Sequence, residues 1–225
     1  SRFADWRAMY SNGIGGSNQF LRPAQKLMTF TTLLFDLDGT LIDSRDDLAS
    51  CVNLTLVEMG CVELSPETVY GFIGEGVFNL LERSISASRG FIAAEDETLR
   101  GVEIFRSIYM QNCLVETTLY EGVAETLAQL SNYKMAVVTN KPVDISVRIL
   151  DGLGISKFFG FVAGGDSFAE RKPSALPILK TLEALGADAE TALMIGDSGV
   201  DIRAAKNAGV NSCGCLFGFR SRAEL

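Results

Sequence analysis

From residue 117 onward, short apolar runs alternate with stretches of helical spacing, and this alternation restricts the possible folds more than any other feature. The pattern predicts helix 121–131, strand 134–139 (KMAVVT), helix 143–153, strand 159–163, helix 174–185, strand 191–196 (TALMIG), helix 199–208 and a short strand near 212–217. Repeated strand–helix units bury a parallel sheet between two helical layers. One more apolar run, 31–37 (TTLLFDL), stands upstream and ends at the turn residues Asp38 and Gly39. Residues 44 to about 116 read instead as helical: Leu48, Cys51, Val52, Leu56 and Val57 fall near helical spacing, and Ser65-Pro66-Glu67 has the form of a helix entry. The predicted fold is α/β: a doubly wound, Rossmann-like parallel sheet built from 28–43 and 117–225, with a helical insertion at 44–116. That insertion leaves the carboxyl end of the first strand, where open α/β sheets place their ligands, so it is expected to sit over the site as a cap.

Residues 1–27 mix Gly, Ser, Asn and scattered aromatics without a period, and are expected to be a leader or an added segment, with Met28 as the natural start. Acidic residues outnumber basic ones 28 to 20, and the net charge of −8 opposes nucleic acid and anionic membrane surfaces as partners. No apolar run approaches the roughly 18 residues of a membrane span, so a cytoplasmic location is expected. Five cysteines, an odd number without zinc-type spacing, point to reduced thiols, although Cys213 and Cys215 around one glycine leave a soft-metal pair open. The chain has no histidine, which removes histidine-based hydrolases and imidazole metal sites. Acid–base chemistry must then come from carboxylates or lysine.

Four polar elements follow predicted strands or their connecting loops. Asp36-Leu37-Asp38-Gly39-Thr40 closes the first strand, and two carboxylates two residues apart leave an extended chain on the same side. Crowding them favours a cation or a shared proton, although a solvated acidic turn explains such a pair equally well in isolation. Gly196-Asp197-Ser198-Gly199-Val200-Asp201 follows another apolar run, and its two aspartates share a helix face or cap the helix. Thr139-Asn140-Lys141 ends KMAVVT, and Lys172-Pro173 precedes a helix. A threonine hydroxyl and a lysine ammonium both suit phosphate oxygens, yet either alone is common on any surface.

In this order and with these residues the chain resembles the haloacid dehalogenase superfamily of phosphohydrolases, over roughly residues 30–220. The resemblance is to members with a helical cap inserted after the first motif. It implies Asp36 as nucleophile, Asp38 as general acid/base, and Thr139 and Lys172 as ligands of the transferring phosphoryl group. It also implies Mg²⁺, held by Asp36, the backbone carbonyl of Asp38 and Asp197, with Asp201 in support. Asn140 and Gly74 are further expected to contact substrate. DGTLIDS at 38–44 and GDSGVDIRAAKNAG at 196–209 are similar to phosphoglycolate phosphatases, as is the glycine-containing loop Gly71-Phe72-Ile73-Gly74-Glu75-Gly76. That family commonly continues with another strand and helix, so a shortened or truncated end is expected here.

The expected activity is Mg²⁺-dependent hydrolysis of a small phosphorylated metabolite, with 2-phosphoglycolate as the specific candidate. A phosphomutase of the same superfamily and a noncatalytic phosphometabolite-binding protein are the alternatives. If the substrate is a two-carbon acid, its carboxylate needs a cation, and Arg45, Arg83 and Arg89 are the arginines weighed for it in the insertion. A monomer or homodimer is expected.

Overall fold

The computed structural model describes residues 29–224, so the expectations for 1–27 and for Met28 lie outside the described residues. Its centre is a five-stranded parallel sheet formed by β1 (Thr32–Phe35), β4 (Lys134–Val138), β5 (Phe161–Ala163), β6 (Ala192–Gly196) and β7 (Asn211–Gly214). The spatial order is β5-β4-β1-β6-β7. β1 is central, with Leu33 level with Met135 on one side and Leu193 on the other. All four of its residues are buried, as a strand covered on both faces must be.

Alternate residues of the sheet feed two separate cores. Leu33, Phe35, Met135 and Val137 face one layer, packed with Leu127 of α5 (Val123–Gln129) and with Ile145 and Ile149 of α6 (Val143–Gly152). Leu34, Ala136, Val138 and Met194 face the other layer. There they meet Ile178 and Leu182 of α7 (Leu176–Leu185) and Ala204 and Ala205 of α8 (Gly199–Asn207). This is the period of two expected of strands, read out as two layers.

Four helices intervene between β1 and the rest of the sheet: α1 (Arg45–Glu58), α2 (Pro66–Tyr70), α3 (Val77–Arg89) and α4 (Glu95–Asn112). Ser65 caps α2 by accepting the Thr68 N–H, and Pro66 occupies the first turn, where its missing donor costs nothing. Leu48, Cys51, Val52 and Leu56 of α1 are buried, but Val57 is exposed and lies off the apolar stripe.

The chain leaves and re-enters the core through a short antiparallel pair absent from the sequence reading, β2 (Ile42–Asp43) with β3 (Thr118–Leu119). Asp47, buried in the first turn of α1, holds the returning strand. Its carboxylate accepts the backbone N–H groups of Val115 (3.1 Å), Glu116 (2.9 Å) and Thr117 (2.9 Å) and the Thr117 hydroxyl (2.6 Å). No helix among the described residues is long and apolar enough to cross a membrane. All five cysteines are free thiols.

Candidate active site

The first motif lies where the topology requires it, just past the end of the central strand. Asp36 follows Phe35 directly, and its Oδ1 accepts the Leu37 N–H (2.7 Å) and the Lys172 ammonium (2.9 Å). Both donors meet the same oxygen, and Asp36 lines the cavity. Burial, and after it the charge of Asp201, push the Asp36 carboxyl well above its ordinary pKa, although Lys172 acts in the opposite sense.

Asp38 is oriented by a different set of partners. Its Oδ1 accepts the Ser44 hydroxyl (2.5 Å) and the Lys141 ammonium (2.7 Å). Ser44 is the residue immediately before α1, so Asp38 is tied to the point where the helical insertion begins. Lys141 is buried and its ammonium also lies 4.7 Å from the centre of the Tyr109 ring on α4. Burial opposes the Lys141 charge, but Asp38 and Tyr109 outweigh it and hold the pKa above the ordinary lysine value. In the sequence Lys141 stands only as the last residue of Thr139-Asn140-Lys141. Its inward direction follows from an edge of the site that Tyr109 and Asp38 create together.

Thr139 follows β4 and donates its backbone N–H to the Ala163 carbonyl (2.9 Å). Its hydroxyl oxygen accepts the Lys141 N–H (3.2 Å), which leaves the hydroxyl proton available to an oxygen in the cavity. Asn140 gives its side-chain amide to the Lys172 carbonyl (3.0 Å), joining the two loops that carry Thr139 and Lys172. Its Oδ1 is buried without a hydrogen-bond partner. Lys172 is almost fully buried between Asp36 and Asp201, at 2.9 and 2.6 Å. Burial opposes its charge too, yet Asp201 and Asp36 raise its pKa above the ordinary value.

Asp197 and Asp201 complete the arrangement from β6 and the first turn of α8. Asp201 is fully buried and fully used: Oδ1 takes Lys172, while Oδ2 accepts the Ser198 N–H (3.1 Å) and hydroxyl (2.6 Å) in a capping box. Asp197 Oδ2 accepts the Phe219 N–H (2.6 Å). Burial is the main reason the Asp197 carboxyl is pushed up to about 6. Gly39 (φ +83°) packs so closely that an added Cβ would lie 2.2 Å from Asp197 Oδ2, so only glycine joins the two motifs here.

Asp36, Asp197 and Asp201 each offer a carboxylate oxygen within 4.8 Å of the others. Three crowded carboxylates, with the proton affinity of Asp36 and Asp197 raised chiefly by burial, form an oxygen-rich donor set beside Lys172, which fits a hard divalent cation. The carboxylate of Asp38 is not in that cluster, being turned to Lys141 and Ser44; of Asp38 only the backbone carbonyl is left for the cation role implied above.

All four sequence elements line one cavity of about 120 Å³ between the sheet's carboxyl end and the inserted helices. The helical wall is apolar, with Val77, Leu80, Val102 and Phe105. The loop 71–76 joins α2 to α3, and Ile73, Gly74 and Gly76 reach the cavity. The three arginines weighed from sequence do not line it. Arg45 pairs with Asp43 (2.6 Å), Arg83 with Glu75 (2.5 Å) and Arg89 with Glu97 (2.6 Å). Arg106 and Arg220 line it instead, and Arg220 comes from the segment after β7, where no periodicity drew attention to it.

The sequence pattern of the family described as haloacid dehalogenase-like hydrolase matches residues 33–215, which include every motif residue just placed. The chain belongs to this family. Similar proteins include the phosphoglycolate phosphatase of Aquifex aeolicus, 43% identical over 189 residues, covering 83% of this chain and 85% of that protein. The phosphoglycolate phosphatase of Colwellia psychrerythraea is 40% identical over 204 residues, covering 89% and 90%. The crystal structure of a predicted phosphoglycolate phosphatase from Haemophilus somnus superposes with a TM-score of 0.78 at 34% identity, covering 84% and 86% of the two chains. The chain is thus a phosphatase by enzyme class and phosphoglycolate phosphatase-like in sequence, which sets aside the noncatalytic alternative.

Proposed function

We propose that this phosphatase hydrolyses a small phosphomonoester through an aspartyl-phosphate on Asp36, with Mg²⁺ as cofactor and 2-phosphoglycolate as substrate. The observation that carries the reading is the pair of aspartates held in different ways. Asp36 takes the Leu37 N–H and the Lys172 ammonium on Oδ1, while Asp38 is fixed through Oδ1 by Ser44 and Lys141. A bound Mg²⁺ would supply charge neutralisation for Asp36, the Asp38 carbonyl and Asp197, and for the phosphoryl oxygens.

Asp36 Oδ2 attacks phosphorus in line, the bond from phosphorus to the ester oxygen breaks, and Asp38 gives its proton to the departing alkoxide. Asp38 then takes a proton from water as that water attacks the aspartyl-phosphate, which restores Asp36 and releases phosphate. Thr139 and Lys172 hold the transferring group and balance its charge, the main demand of phosphoryl transfer. Asn140 acts by joining the Thr139 and Lys172 loops. Of the described residues, 44–116 act as a cap over a core of 29–43 and 117–224, and the apolar wall of α3 and α4 lines the cavity, where it would keep water out.

The test is a panel of phosphomonoesters scored by kcat/KM with Mg²⁺, reading free phosphate. The reading expects 2-phosphoglycolate to exceed hexose phosphates and nucleoside monophosphates by at least about tenfold, roughly 1.4 kcal/mol of transition-state discrimination. Sugar-phosphate isomerisation without phosphate release contradicts it.

A further inference from the structure

We infer that Arg220 is a specificity-determining residue that binds the carboxylate of the substrate, so that the site selects phosphomonoesters carrying a carboxylate close to the phosphoryl group. This rests on the reading of the site as one that accepts 2-phosphoglycolate. Four cationic side chains line the cavity: Arg106, Lys141, Lys172 and Arg220. Lys172 is committed to Asp36 and Asp201, and Lys141 to Asp38. Arg106 pairs with Asp144 at 2.7 Å and has a half-exposed side chain. Arg220 differs from these three. Its nearest carboxylate, Glu224, lies 3.8 Å from Nε, and its hydrogen bond goes to a neutral group, the Ile73 carbonyl. Among the described residues that line the cavity, its charge is the least neutralised.

Its place in the chain suits a short substrate. Phe219 donates its N–H to Asp197 at 2.6 Å, at the phosphate end of the site, and Arg220 is the next residue. Its guanidinium reaches the loop 71–76, so it spans the gap between the reacting end and the cap. Gly74 makes this possible: it has φ +118°, and a Cβ there would lie 2.7 Å from Arg220 Nη2. The facing wall of Val77, Leu80, Val102 and Phe105 offers a carboxylate no side-chain donor. A planar guanidinium with unused N–H groups gives a carboxylate two parallel, charge-assisted hydrogen bonds. Gly74, expected from sequence to touch substrate, acts in this scheme by admitting the arginine.

The experiment compares kcat/KM for 2-phosphoglycolate with that for ethyl phosphate, which has the same chain length and no carboxylate, in the full chain and in Arg220→Gln, Arg220→Lys, Gly74→Ala and Arg106→Gln. The ratio of the two values is the readout. It should fall about 10- to 100-fold in Arg220→Gln, the loss expected for hydrogen bonds to a charged group, and mainly through KM for 2-phosphoglycolate. Arg220→Lys should recover part of it, and Gly74→Ala should shift it in the same direction as Arg220→Gln. Equal losses on both substrates in Arg220→Gln, an unchanged ratio, or a ratio that falls in Arg106→Gln instead would each overturn the assignment. A wild-type enzyme that hydrolyses both esters equally well overturns the substrate reading and the role of Arg220 together. A strong wild-type preference that survives Arg220→Gln overturns the role of Arg220 alone.

Discussion

Asp36 and Asp38 are two residues apart, yet their surroundings differ: one is pressed against Lys172 and two other carboxylates, the other is clamped by Ser44 and Lys141. In the proposed mechanism Lys141→Met should lower kcat by about tenfold to a hundredfold, with a larger loss for esters of poor leaving groups, because it loosens Asp38, the proposed acid, rather than Asp36. Steady-state rates across leaving groups of graded basicity check this; equal loss across the series would place Lys141 in phosphoryl binding instead. Asp36, Asp38, Thr139, Lys172 and Asp197 were legible because each follows an apolar run or sits in the next loop, so topology alone brings them together. Lys141 and Arg220 were not. A lysine or arginine buries its head only when a distant partner receives it, here Asp38 and Tyr109 for the first and the Ile73 carbonyl for the second. Arg45, Arg83 and Arg89 are instead taken by acidic partners two to eight residues away, and none of the three lines the cavity.

At the scale of elements, the connection between sheet and inserted helices depends on a small join. β2 and β3 have two residues each, too few to show alternation in a sequence, and the sequence reading passed over them. Their geometry is supported by Asp47, which satisfies three backbone donors and a hydroxyl from the returning strand. Asp47→Ala should destabilise the fold by about 2–3 kcal/mol, since those donors lose their acceptor in a buried place, whereas Asp47→Asn should cost less. Denaturant unfolding of the three proteins measures it; equal stability of wild type and Asp47→Ala would show that water replaces the carboxylate freely. The long strands and helices were read to within a few residues because their apolar period is sustained over several turns or a whole strand. Their ends shifted, for example from 31–37 to Thr32–Phe35, since the last residues leave the ladder to form the motif turn.

For the whole molecule, the acidic cluster links metal, pH and stability. Burial lifts the Asp197 carboxyl from 3.8 to about 6, so the folded state binds that proton more tightly than the unfolded chain does. The stability this contributes is fully present below the unfolded value of 3.8 and is lost as pH rises through about 6. Asp36 is shifted in the same direction. With the divalent cation chelated, wild type should lose thermal stability relative to Asp197→Asn across that window, and Mg²⁺ should restore it by binding the folded state alone. Unfolding midpoints across the pH range, with chelator and with Mg²⁺, test this; a wild type that gains on Asp197→Asn as pH rises without the cation would reverse the sign. The net charge of −8 makes the concentration of cation-binding acid at one point of the sheet all the more costly when the cation is absent.

Covalent catalysis by Asp36 is the claim on which the rest depends, and trapping the intermediate tests it most directly. Wild type and Asp36→Asn are mixed with 2-phosphoglycolate and Mg²⁺, quenched in acid during turnover, digested and weighed by mass spectrometry. The expected result is one phosphoryl group on the wild-type peptide that contains Asp36, its loss on brief treatment with base, and neither adduct nor turnover in Asp36→Asn. Phosphate release at the wild-type rate by Asp36→Asn, or an adduct on any other residue, would contradict it.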